Sequence, residues 1–335
     1  MNPGPGLLSD ALLRTGRVTL SDYRYFSSLF TRFDIFHVHW PERSVFPVAL
    51  PKRIAKVLLF LVFVYLCKAR GGRVIWMANN IGSHEGASPR LERLLWRYFL
   101  PRVDHVIHLC PASADLIKNL AGPLPPGTVL AHPHYRPHFA ALNSSAEPRL
   151  KLDLPKDSFV VGCFGSTRRY KGIDLLIGAM REWNRKDAVL LYGGPPISRE
   201  SQKEIEALAG GDPRIKLFIR PLSDTELRDL IEASDVIAMP YRKILNSGVA
   251  MGAVSLNRPI LGPAVGCVLD YEAHLGPDWV LTYDGTLDAD DLERAYLKFR
   301  GRDKSAECNL DWMDPDRVAK ETVRIYEQTL QLPPR

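Results

Sequence analysis

Short apolar runs alternate with amphipathic stretches along nearly the whole chain. In the first half, residues 34–39, 73–78, 104–109 and 128–132 read as strands. Residues 53–69, 89–99 and 113–120 read as helices, with Ser113 expected as an N-cap. In the second half, strands fall near 158–164, 188–192, 215–219, 235–239 and 259–262, and helices near 172–183, 199–209, 223–233 and 248–256. Residues 314–330 read as a terminal helix opened by Asp-Pro. Strands that are apolar throughout and separated by helices predict parallel sheets covered on both faces. The polar, proline-containing stretch 141–157 reads as a linker. The expected architecture is α/β, with two Rossmann-like, doubly wound domains facing a cleft, where their strand ends bind ligands. The domains run over 1–145 and 155–313, and 314–335 is a helix that crosses back to the first.

The 335 residues are enough for two separate cores. The five cysteines are scattered without a CxxC pair and sit mostly in apolar runs, which points to buried thiols in a reducing compartment. The start, Met1-Asn2-Pro3-Gly4, lacks the charged and apolar regions of a secretory signal. The net charge of +6 is uneven: residues 1–150 carry +9 and residues 151–335 carry −3. The basic half calls for an anionic partner. No helix–turn–helix, zinc finger or RNP-like motif is present, so nucleic acid is not expected. An anionic membrane surface fits better. The uncharged run 57–67 is flanked by Lys52, Arg53 and Lys56 on one side and Lys68 and Arg70 on the other. It is well short of the roughly 20 residues a span needs. It reads either as a buried helix or as one that dips into the membrane interface, and both hold if one face packs and the other meets lipid.

Candidate chemistry lies in loops that follow strands. After 158–164 comes Gly165-Ser166-Thr167-Arg168-Arg169-Tyr170-Lys171-Gly172, where a glycine, three cations and a helix start suit a diphosphate. The plainer reading is a turn with solvated cations. Gly193 and Gly194 permit close backbone approach at a second loop. A third loop runs through Tyr241, Arg242 and Lys243 to Asn246, Ser247 and Gly248, where Asn246 or Ser247 caps the next helix and leaves amides for an anion. Leu222 follows the strand at 215–219, where its backbone is placed to meet a base. Neither half shows G-x-G-x-x-G after its first strand, which disfavours a dinucleotide oxidoreductase.

In the basic half, strand ends carry His37, His39, Trp40 and Glu42, then Asn79, Asn80, His84 and Glu85, then His132, His134, Tyr135 and Arg136. His and Glu suit general-base work on a hydroxyl. A metal site is the rival reading, weakened by the scarcity of nearby carboxylates.

These blocks together resemble GT-B glycosyltransferases, and most closely the GumI-like bacterial exopolysaccharide β-mannosyltransferases. The blocks are 37–42, 80–85, 132–136, 168–172, 239–243 with 246–248, and Arg258-Pro259, and they span roughly residues 2–330. The resemblance implies a nucleotide-sugar donor held by Gly165, Arg168, Lys171, Gly193, Leu222, Tyr241, Lys243, Asn246, Ser247 and Gly248. It implies a polyprenyl-diphosphate-linked glycan acceptor near His39, Trp40, Asn80, His132, His134, Tyr135 and Arg136. The transfer is expected to be metal-independent and inverting. It would be cytoplasmic, on a protein held peripherally at the inner face of the plasma membrane, with Glu85 or His84 as base and Glu42 as runner-up. GDP-mannose is the donor the resemblance favours. The alternatives are a retaining transferase using a UDP-sugar, a non-catalytic nucleotide-sugar-binding protein, or a sugar-nucleotide epimerase. The sequence departs from the pattern in three places. Ile244 and Gly252 stand where retaining relatives carry two glutamates. Asn79 stands where the GumI-like pattern has histidine. The first strand and loop of the family are not evident near Asn2.

Overall fold

The computed structural model describes residues 3–24, 26–45, 49–79, 88–121, 125–143, 145 and 147–332. The chain divides into two compact units: residues 8–133 with 312–335, and residues 1–7 with 134–311.

The first unit is built on a parallel sheet of β1 (Ile35–Val38), β2 (Arg73–Ala78), β3 (His105–His108) and β4 (Gly127–Val129), in the order β1-β2-β3-β4. Between the strands run α2 (Leu50–Ala69), α3 (Pro89–Phe99) and α4 (Ala112–Ala121), after an initial α1 (Gly4–Arg14). Right-handed crossovers that always step the same way place every connecting helix on one face. Phe36, Val38, Val74, Trp76 and Val106 accordingly pack with α2, α3 and Ile117 of α4. The opposite face would be bare. It is covered by Leu8, Ala11 and Leu12 of α1 and by Val318, Ala319, Val323, Ile325 and Tyr326 of the C-terminal helix Pro315–Gln331, which meet Ile75, Met77 and Ile107. Alternate residues of β2 therefore enter two cores, and every one of its side chains is buried.

At the end of this sheet where the strands begin, just before β3, Asp104 is almost fully buried. It accepts hydrogen bonds from Lys68 Nζ (2.6 and 2.8 Å) and from the Val74 amide (2.8 Å), and Arg73 lies 3.9 Å away. Arg73 also donates to the Leu332 carbonyl. Ser113 is not an N-cap: it lies inside α4 and its hydroxyl bonds His108 Nδ1 at 2.7 Å.

The second unit has β5 (Phe159–Phe164), β6 (Ala188–Gly193), β7 (Ile215–Phe218), β8 (Val236–Ala238), β9 (Ile260–Pro263) and β10 (Val280–Tyr283), all parallel, in the order β10-β9-β8-β5-β6-β7. Its helices are α5 (Arg136–Ala140), α6 (Pro148–Lys151), α7 (Ile173–Glu182), α8 (Arg199–Ala209), α9 (Asp224–Ala233), α10 (Gly248–Ser255), α11 (Cys267–Leu275) and α12 (Ala289–Phe299). β5 to β7 wind one way and β8 to β10 the other, so the direction reverses between β5 and β8. This is the doubly wound topology with its switch point.

The chain enters this unit at His134 rather than after residue 145. Nor does 141–157 behave as a linker. Arg149 of α6 donates to Asp235 Oδ2 (2.5 Å) and to the Ala233 and Ser158 carbonyls, and Lys151 pairs with Asp229 at 2.6 Å. All five cysteines are free and buried.

Candidate functional site

The β5–β8 ladder holds only Val161↔Val236 and Gly162↔Ile237, whereas β5 runs on to Phe164 beside β6. The carboxyl ends of β5 and β8 therefore part, and the loops that follow them occupy the switch point. Gly172 starts α7 with φ +64°, and a Cβ there would lie 1.9 Å from the Pro240 carbonyl oxygen. Only glycine lets these two loops approach so closely. Gly194 does the same for the β5 and β6 loops, where a Cβ would come 2.0 Å from Gly165 O. Arg242 completes the join. It donates to the Arg169 carbonyl (2.6 Å) and grips Asp174 at 2.5 and 2.9 Å, while its amide bonds Tyr170 O at 2.8 Å. The hydrogen bond from Arg242 is the main reason the Asp174 carboxyl sits below its ordinary pKa.

Within this frame Lys171 is half-buried. Its ammonium donates to Tyr241 OH at 2.9 Å and lies 4.6 Å from the centre of that ring. A Cβ on Gly165 would be 2.7 Å from Lys171 Nζ, so the cation rests against the end of β5. Burial opposes the charge, but Tyr241 and Tyr170 outweigh it and hold the pKa above the ordinary lysine value. Tyr192 OH fixes the Gly165 carbonyl at 2.7 Å. Arg168 is half-buried at the start of the short turn 169–171, and Lys243 is exposed on the β8 loop. Ser247 caps α10, its hydroxyl accepting from the Ala250 amide at 3.2 Å, and Asn246 precedes it half-buried. The positive end of α10, which Gly248 begins, thus opens on the loop that carries Tyr241. Gly193 packs against Leu222 and Leu230, where a Cβ would meet their methyl groups at 2.9 and 2.8 Å. This brings Leu222 to the same strand ends. Gly252 is buried, with Ile231 and Phe139 carbons 3.5–3.9 Å from where a Cβ would stand. A glutamate at that position would enter an apolar pocket.

His134, Tyr135 and Arg136, read from sequence as acceptor contacts in the basic domain, belong to the second unit. The Tyr135 amide donates to Ser255 Oγ (2.8 Å), and its hydroxyl lies 3.4 Å from a Cβ built on Gly248. Arg136 donates to Asn257 Oδ1 (2.8 Å) and to the Cys308 carbonyl (2.6 Å), which braces the unit's interior. Arg242, Asp174 and Tyr192 were not singled out as site residues. The signal for Arg242 was adjacency to Tyr241, but its partner is set by tertiary contact.

In the first unit, His37 and His39 share one strand face, their rings stacked at 4.6 Å. His37 Nδ1 and Tyr326 OH share a 2.6 Å hydrogen bond. Asn79 Nδ2 donates to the carbonyls of His39 and Met77, both at 3.2 Å. His132 Nδ1 donates to the Pro133 carbonyl at 3.1 Å. Burial lowers the pKa of His37 to about 4, and burial followed by nearby His37, His132 and Arg43 holds His39 well below its ordinary value. Burial also lowers His132. Neutral imidazoles therefore gather at these strand ends. Trp40 stacks under the Arg43 guanidinium at 4.2 Å, and Glu42 is only 2% exposed. Asn80, His84 and Glu85 lie outside the described residues. Among the described residues no group of three or more His, Cys, Asp or Glu is placed to hold a metal ion.

The buried His37 has a consequence for stability. The unfolded chain binds a proton at His37 near pH 6.5, the folded chain only near pH 4. Its neutral state therefore stabilises the fold fully above about pH 6.5, and that contribution is lost as pH falls toward 4. The linked loss is roughly 3 kcal/mol. Melting curves between pH 7 and 4.5 should show this slope, and His37→Gln should make it shallower, with the buried His39 and His132 supplying the remainder.

Residues 158–289 match the family described as "Glycosyl transferases group 1". The chain is 27% identical over 313 residues to a GDP-mannose:glycolipid 4-beta-D-mannosyltransferase of Xanthomonas campestris pv. campestris, covering 92% of this chain and 84% of that protein. It is 29% identical over 159 residues to a D-inositol 3-phosphate glycosyltransferase of Corynebacterium aurimucosum, covering 42% of this chain and 38% of that one. Among solved structures it is similar to Anabaena HepE in complex with UDP and glucose, with a TM-score of 0.62 and 16% identity over 98% of this chain and 82% of that chain. It is also similar to a sucrose-phosphate synthase from Thermosynechococcus elongatus, with a TM-score of 0.57 and 17% identity over 84% and 75%. With two parallel sheets, a switch point lined by cations and this match over residues 158–289, the chain has the GT-B fold and carries a glycosyl transferases group 1 domain.

Proposed function

We propose that the protein transfers mannose from GDP-mannose, with inversion, to a polyprenyl-diphosphate-linked oligosaccharide in exopolysaccharide assembly. The observation that carries this reading is the Lys171 ammonium held at the switch point by Tyr241, together with the long match to the Xanthomonas mannosyltransferase. Lys171, Arg168 and the amino end of α10 meet the donor diphosphate and stabilise the charge that develops on the leaving nucleotide. The apolar surroundings of Gly252 support a site without the acidic pair of retaining relatives. The neutral imidazoles of His39 and His132 suit hydrogen bonds to acceptor hydroxyls. Glu85 or His84 takes the proton of the attacking hydroxyl, with Glu42 as the alternative. A lipid-linked acceptor places the reaction at the cytoplasmic membrane surface.

The test is incubation of the purified protein with GDP-mannose, UDP-glucose and other labelled nucleotide sugars plus membrane extract, followed by extraction of labelled lipid. Labelled lipid from GDP-mannose alone is the expected result. Label from a UDP-sugar would move the donor assignment, and binding without any labelled product would sink the catalytic reading. Glu85→Gln should abolish transfer while donor affinity stays near wild type. Normal turnover in that variant would remove Glu85 from the role.

A further inference from the structure

We propose that the outer face of α2, with the adjoining flank of α3, docks the first unit in the plane of an anionic lipid bilayer. This deepens the lipid-acceptor reading, on which it rests for its place in the reaction, but its own grounds are physical. α2 is apolar on both sides. Val57, Phe60, Phe63, Val64 and Cys67 pack inward. On the opposite side Leu50, Ile54, Leu58, Val62 and Tyr65, spaced three or four residues apart, are between 41% and 59% exposed. Single exposed apolar residues are ordinary on protein surfaces, but a ridge along a 20-residue helix is not. α3 adds exposed Leu94 and Tyr98. Arg102 joins the two helices, lying 5.8 Å from the Tyr65 ring while donating to the Tyr98 carbonyl at 2.8 Å.

Charge identifies the occupant. No acidic residue occurs between Glu42 and Glu85, a stretch that carries seven Lys and Arg. On α3, Arg90, Arg93 and Arg97 form an exposed ridge beside Leu94 and Tyr98, and among the described residues no carboxylate pairs with them. An apolar strip flanked by arginines matches acyl chains beneath anionic headgroups. A second copy of the chain on this face would oppose arginine to arginine. No described helix is long and apolar enough to cross a membrane, so the contact is in-plane. Phe26 and Phe30, 70% and 76% exposed with rings 5.7 Å apart, supply a second apolar point. Their turn is tied to the end of α2 by Arg70, which donates to the Leu29 carbonyl at 2.7 Å.

The full chain should co-sediment with vesicles of phosphatidylcholine and phosphatidylglycerol, and far less with phosphatidylcholine alone. Arg93→Ala with Arg97→Ala should weaken binding to the anionic vesicles roughly 25-fold, about fivefold per cation. Leu58→Ser with Val62→Ser should weaken it as well, with melting unchanged because both side chains are exposed. All four substitutions should leave transfer to a detergent-solubilised acceptor intact. The proposal is overturned if the wild type ignores anionic vesicles or if the variants bind like wild type. It is also overturned if light scattering finds a dimer that the Leu58/Val62 variant dissociates. Vesicle binding without any sugar transfer would instead count against the catalytic reading and leave the docking face standing.

Discussion

Replacing Lys171 by methionine should lower sugar transfer about 100- to 1,000-fold, the scale seen when one preorganised charge-stabilising donor is removed. Methionine keeps most of the stem that lies against Gly165 and over the Tyr241 ring, so the fold should melt as before. The division of the loss is the informative part. If the ammonium meets the diphosphate mainly as charge develops, kcat falls and the donor KM moves little. If it grips the ground state equally, KM rises at constant kcat. Tyr241→Phe separates the cation from its holder. The ring contact stays and one hydrogen bond goes, so a loss of only several-fold is expected. Equal losses in the two variants would mean that Tyr241 itself touches the donor.

Asp104→Ala should strongly destabilise the first unit. Its carboxylate answers Lys68 and the Val74 amide, with Arg73 close by, at a position nearly closed to water. Truncation strands a buried cation, a loss of about 3–5 kcal/mol. For a unit of this size that is a fall in melting temperature on the order of 10 °C. Lys68→Met with Asp104→Leu should recover much of it, because the whole ion pair then leaves together. Calorimetry on the three chains checks both statements.

The parallel strands of both units were legible because their apolar runs are bounded by polar turns. β2 and β6, buried along their whole length, are the clearest. β10 was not seen, because its middle residues are only half-buried and the run is short. α12 was not seen either: Asp288 and Asp291 cap each other's amides, but so acidic a start reads as loop. α1 hid behind prolines and glycines that suggest a coil, although Pro5 falls in its first turn, where proline is tolerated. The placement of one residue set was readable: Gly165, Arg168, Lys171, Tyr241, Ser247 and Gly248 all lie on the loops of the second unit's switch point. What could not be read was partnership. That Arg242 holds Asp174 while Lys171 leans on Tyr241 depends on which strand ends face each other. The same limit explains Tyr135 and Arg136, whose neighbours Ser255, Asn257 and Cys308 lie more than a hundred residues on.

The sheet of the first unit steps always in one direction, and its second face is closed by the two ends of the unit's own sequence. During synthesis β1 to β4 emerge early, yet Ile75, Met77 and Ile107 have no complete cover until the helix Pro315–Gln331 leaves the ribosome. By then the whole sheet of the second unit has been made. The order of completion is therefore reversed relative to the order of translation: the later unit can close first, and the earlier one stays half-open, its apolar back available to chaperones, until the helix Pro315–Gln331 has been made.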